Sequence, residues 1–132
     1  MSAILEKDIV KFWIQDDILF SEYEDPIEMN LINAKKIIEL RHKISNGKKQ
    51  YWCYDSKNIK LYTKEARDYA DIHGQDLLLA CAAIVHSNIA MAIFNLYIKI
   101  KKVQIPFRAF ASKEKAVGWL NDIKKKNDAD GR

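Results

Sequence analysis

Glycine and proline are scarce in this chain, four and two among 132 residues. That excludes a glycine-rich phosphate loop and a Gly-x-Ser-x-Gly nucleophile elbow, as well as a low-complexity linker. Cysteine is equally sparse. Cys53 and Cys81 lie in apolar stretches and read as small buried hydrophobes, so no disulfide scaffold is expected. His42, His73 and His86 fall on separate stretches without Cys-x-x-Cys or His-x-x-x-His spacing, so no metal or other cofactor is implied. Long hydrophobic runs are missing too. Leu77–Val85 and Ile89–Ile98 are each about half of a membrane span, which argues against an integral membrane protein. Met1–Asp8 has no apolar core of an export signal, and the expectation is a cytoplasmic protein. The net charge of +4 is mild, with small concentrations only at Lys99–Lys102 and Lys124–Lys126. No readable motif accompanies it, so nucleic acid is not an expected partner.

What is present is enough to fold. The chain is 48% hydrophobic and 30% charged and contains three Trp, six Tyr and five Phe, which marks a core-forming chain rather than a disordered one. Ile9–Ile14 and Ile18–Tyr23 are β-rich runs separated by Gln15-Asp16-Asp17, the pattern of a hairpin, and Asp25-Pro26 ends the second run. Asn30 can cap a helix with Leu31, Ala34, Ile37, Ile38, Leu40 and Ile44 at helical spacing, stopped at Asn46-Gly47. Tyr51–Tyr54 reads as a strand covered on both faces. Thr63 starts a second helix that ends at Gly74; Leu77–Leu79 fits either a helical turn or an early strand. Ala82–Val85 is a further buried strand. A helix follows from Ile89 to about Lys101, capped by Ser87 or Asn88, and Phe107–Phe110 is the last strand. Ser112 caps a final helix with Ala116, Val117, Leu120 and Ile123 inward.

The order ββαβαβαβα predicts an α/β fold: a mixed, mostly parallel five-stranded sheet with an antiparallel N-terminal hairpin. Residues 1–126 are expected to form a single domain and 127–132 a frayed C-terminal tail.

Beyond that order, Ser45-Asn46-Gly47-Lys48, Thr63-Lys64-Glu65-Ala66-Arg67-Asp68-Tyr69 and Glu114-Lys115-Ala116-Val117-Gly118-Trp119-Leu120 resemble the small STAS, or anti-sigma-factor-antagonist-like, proteins of bacteria. The resemblance covers nearly the whole chain. It implies a STAS-like sheet with helices on it and a docking or switch module rather than a catalyst. In that family a strand ending in Asp leads through a short loop to an Asp-Ser-Ser-Gly-like helix start, where a serine is phosphorylated. Asp55 matches the strand-end Asp and Ser56–Tyr62 the loop, while Thr63 falls on the second Asp and Lys64 and Glu65 on the serine positions. The phosphoacceptor is therefore missing. Thr63 itself reads as a helix cap, with a phosphate on it as the alternative.

Two places carry the functional expectations. Parallel sheets gather ligands beyond the carboxyl ends of their strands, and that edge collects Asp55, Ser56, Thr63, His86, Ser87 and Asn88. These residues either form a polar site or serve as caps and loop anchors. The second place is the helix Ile89–Ile98, whose apolar residues run all the way round. A surface helix of that kind needs a cover, so Ile89, Ile93, Phe94, Tyr97 and Lys101 form a candidate interaction surface, unless the helix is wholly internal. The reading is a non-enzymatic interaction or regulatory module, a homodimer or the binder of a protein partner. The alternative is a carrier or sensor of a small apolar or lipid ligand, since STAS-like folds are also similar to CRAL-TRIO lipid-transfer domains.

Overall fold

The computed structural model describes residues 3–6, 9–101 and 103–131, and of 3–6 only the backbone. Met1, Ser2, Lys7, Asp8, Lys102 and Arg132 lie outside the described residues. The expected hairpin consists of β2 (Val10–Gln15) and β3 (Ile18–Glu22), paired antiparallel. Asp16 and Asp17 both take left-handed backbone angles, φ 52° and 65°, which is the two-residue turn whose twist matches the strands. Lys124 donates to the Asp17 carboxylate at 2.7 Å and ties the turn to the last helix.

After Pro26 the chain forms β4 (Ile27–Met29) and then α1 (Leu31–Ser45). Asn30 caps α1 by accepting from the Asn33 amide. Asn46 and Gly47 stop it with left-handed φ of 50° and 81°. β5 (Gln50–Asp55) leads to β6 (Ile59–Tyr62) and α2 (Lys64–His73), with Thr63 as the cap. The ambiguous Leu77–Leu79 segment resolves as a left-handed turn at Leu77, φ 60°, followed by the start of β7 (Leu78–Ile84). Then come α3 (Asn88–Lys101), β8 (Phe107–Phe110) and α4 (Lys113–Ala129).

The main sheet runs β1-β2-β3-β5-β7-β8, where β1 is Ala3–Glu6, and β3/β5, β5/β7 and β7/β8 are parallel. Its five expected strands stand in the expected order. To them the structure adds β1 (Ala3–Glu6), antiparallel to β2, and a separate parallel pair, β4 with β6. β6 occupies the segment read as a loop. Lys60, Leu61 and Tyr62 are all exposed, on both sides of the strand, so no period-two burial pattern marks it.

Side chains alternate between the two faces, as a pleated strand requires. Leu19, Trp52 and Cys81 point to the face covered by α1 and α2, through Ala34, Ile37 and Ala66. Ile18, Phe20, Tyr51, Cys53, Ala80, Ala82 and Ile84 point to the other, where α4 lays Ala116 and Leu120. Cys53 and Cys81 therefore sit on opposite faces as buried free thiols, and burial pushes the Cys53 thiol up to about 12.

Arg41 of α1 is wholly buried without a carboxylate to pair with among its hydrogen-bond partners. It donates to the Asp76 carbonyl at 2.9 Å and the Gly74 carbonyl at 3.2 Å, and its guanidinium lies 4.9 Å from the Trp52 ring centroid. The cation thus satisfies carbonyls just past the negative end of α2 and pins α1 to it. Burial brings its pKa down to about 10.

The tail expected to fray from Asn127 does not do so there. α4 continues to Ala129 because Asn127 is buried and donates to the Tyr51 hydroxyl at 2.9 Å.

Candidate functional site

At the carboxyl edge, β5 ends on Asp55 and β7 on Ile84, neighbours in register. This brings His86 Nε2 to 2.6 Å from Asp55 Oδ1, an oxygen that also accepts from the Lys57 amide at 2.9 Å. Ser56 turns inward, and its amide and its Oγ both donate to the Ile84 carbonyl, at 3.0 and 2.7 Å. Ser87 Oγ accepts from the Ala90 amide at 3.0 Å, so Ser87 is the α3 cap and Asn88 the helix's exposed first residue.

Thr63 is used differently. Its amide donates to the Met29 carbonyl and its Oγ1 accepts from the Ala66 amide at 3.2 Å, at the junction of the β4/β6 pair with α2. Asp55, Ser56 and His86 are therefore brought together by hydrogen bonds across β5 and β7. Ser87 and Asn88 follow in the chain, and Thr63 belongs to another helix start.

In this arrangement the serine hydroxyls are committed to backbone groups, Ser56 as donor and Ser87 as acceptor. Nucleophilic catalysis needs a base hydrogen-bonded to the nucleophile. The partner His86 takes is Asp55 instead. Beside the pair, a shallow hollow of about 300 Å³ is lined by Glu22, Tyr23, Glu24, Asp55, Lys57 and Asn58. The Asn58 side chain, on a residue with φ 75°, holds this rim by donating to the Tyr23 and Glu24 carbonyls. Among the described residues no group of three or more His, Cys, Asp and Glu side chains is placed to hold a metal ion.

The second candidate, α3, lies on the same face as α1 and α2, and it is not internal: none of its described residues is buried. Its inner side is Ala90, Met91, Phe94, Tyr97 and Ile98, all half-buried. Phe94 packs on Phe107 of β8 with ring centroids 5.3 Å apart. Tyr97 Oη donates to Asp71 of α2, and Lys101 Nζ lies 3.2 Å from the same carboxylate. Burial first, and then the bond to Asp71, push the Tyr97 hydroxyl well above its ordinary value.

The five residues expected on the interaction surface therefore divide. Phe94, Tyr97 and Lys101 turn toward the protein, whereas Ile89 and Ile93 face solvent at 75% and 64% exposure. The outer face also holds Leu96 and Ile100, 57% and 64% exposed, which the sequence reading did not single out. Their signal was available. Positions 89, 93, 96 and 100 are spaced four, three and four apart, the interval of a helix–helix seam.

The fold is a STAS-like α/β one, and among the described residues no helix is long and apolar enough to cross a membrane. A family model described as Domain of unknown function (DUF7793) matches residues 12–124, and the chain belongs to that family. Among solved structures it is similar to an uncharacterised protein of the DUF3478 family with a SpoIIAA-like fold, from Shewanella loihica PV-4. The two share 15% identity with a TM-score of 0.63, covering 91% of this chain and 98% of the other. A protein of unknown function from Arthrobacter sp. FB24 gives 16% identity over the same shares of the two chains, but a TM-score of only 0.30. No curated protein matches. The SpoIIAA-like neighbour bears out the STAS resemblance and the α/β fold.

Proposed function

We propose that this protein is a non-enzymatic STAS-like interaction module that self-associates through the outer face of α3. The observation that carries this reading is the solvent-facing stripe Ile89, Ile93, Leu96 and Ile100 on a helix with no buried residue. Each such side chain gains about 1.5–3 kcal/mol when fully covered, so leaving all of them in water is costly unless a surface meets them. A second copy offers the same stripe.

Native mass spectrometry tests the reading. The wild type should be a dimer, and Ile93→Lys with Leu96→Lys should give a folded monomer, since both positions are exposed. A dimer unaffected by the double variant would sink it. A monomer carrying a stoichiometric extra mass would instead favour the alternative, an apolar or lipid ligand held beneath α3, whose half-buried inner side rests on Phe107.

A further inference from the structure

We infer that α3 is a lid that opens ahead of the rest of the fold, latched to α2 through the single carboxylate of Asp71. The inference concerns how the inner face of the helix is held and is independent of what meets its outer face.

Local opening costs least where few apolar side chains are fully buried. α4 is rooted in the sheet by Ala116 and Leu120, both at 0% exposure, whereas no described residue of α3 is buried. The side-chain contacts that tie α3 down are concentrated at two points. One is the Phe94 ring against Phe107 of β8. The other is Asp71. Among the described residues, every side-chain hydrogen bond and ion pair from α3 to another element ends on that carboxylate: the Tyr97 hydroxyl donates to it, and Lys101 Nζ lies 3.2 Å from it. Tyr97 and Lys101 are four residues apart, so successive turns of the helix present both to one acceptor. Asp71 is half-buried, and a charge partly withdrawn from water is screened less than an exposed one.

The two ends of α3 are fixed separately. Before it, His86 is bonded to Asp55 at 2.6 Å; after it, the Gln104 amide donates to the Gln75 side chain at 2.8 Å. Releasing Asp71 therefore frees the helix while both flanks stay in place. Beneath Phe94 a row of rings runs inward, Phe107 edge-on to Tyr54 at 6.4 Å and Tyr54 to Trp52 at 4.9 Å between centroids. An opened α3 uncovers the outer end of that row.

Hydrogen exchange read by mass spectrometry on the full chain tests the lid. In the wild type α3 should exchange faster than α4. Asp71→Asn removes the ion pair with Lys101 and weakens the acceptor of Tyr97, and it should speed exchange in α3 roughly tenfold further without changing α4. Tyr97→Phe should act in the same direction and less strongly. Asp17→Asn, whose carboxylate pairs with Lys124 of α4, should leave α3 as it was. Each measurement is repeated with Ile93→Lys and Leu96→Lys present, so that a partner on the outer face cannot mask the opening. Equal exchange in α3 and α4 in that background would overturn the lid. An Asp71→Asn effect that is absent from α3, or spread evenly over the chain, would overturn the latch.

Discussion

α3 and α4 pack on opposite faces of one sheet, and the more apolar of the two is the more exposed. α4 is rich in lysine, yet it buries Ala116 and Leu120 completely and Asn127 nearly so. α3 has Lys99 and Lys101 as its charged residues and buries none of its side chains. The difference lies in what each helix meets. Across from α4, β7 presents Ala80 and Ala82, small enough to let the helix come close and seat Leu120. α3 leans on the edge strand β8 through Phe94 and Phe107, and bulky rings hold it off. Burial follows fit rather than apolarity, and apolarity left over after packing marks a surface for something else.

That contrast can be broken experimentally. The largest effect belongs to α4: Leu120→Ala should cost about 2–5 kcal/mol of unfolding free energy in urea titrations. Ile93→Ala on α3, measured at concentrations where the protein is monomeric, should stay within about 0.5 kcal/mol. Equal costs would mean that α3 is as much a part of the core as α4. Next is Asn127→Ala, which leaves the buried Tyr51 hydroxyl without its donor and should lose about 1–3 kcal/mol. Tyr51→Phe in the same background should add little further. The caps should rank together, since Ser87 and Ser112 each accept from an amide in the first turn; Ala at either should cost about 1 kcal/mol by thermal unfolding.

The smallest effect is electrostatic. The hydrogen bond and charge of Lys124 hold the Asp17 carboxyl below its ordinary value of 3.8. A carboxyl lowered in the folded state stabilises above the unfolded value and loses that contribution as pH falls through the lower folded one. The Asp17–Lys124 pair is solvent-screened, so Asp17→Asn should change stability by no more than about 0.5 kcal/mol at pH 7 and by nothing well below pH 3. A larger effect at neutral pH would show that the tie between the hairpin turn and α4 matters more than its exposure implies.

Much of this was legible from residue order. Asn30, Thr63 and Ser112 announce their helices, and Asp16-Asp17 its turn, because caps and tight turns depend on chemistry within a few residues. β4 and β6 were not legible, since strands of three and four residues hold together through partners far along the chain. The end of α4 was missed for a similar reason: Asn127 is fixed by Tyr51, on another strand. Of the polar edge, the chain order indicated which residues share a strand end, but not that His86 would choose Asp55, nor that Thr63 would serve a different helix.

The sequence by itself determined the alternation of strands and helices and an excess of apolar surface on the segment from Ile89, because both are periodicities of neighbouring residues. Only the tertiary structure decided that Phe94 and Tyr97 turn inward while Ile93, Leu96 and Ile100 face water. A helix apolar all round has no inside of its own. Its orientation is set by which ring meets Phe107 and which side chains reach Asp71, contacts between residues distant in the chain.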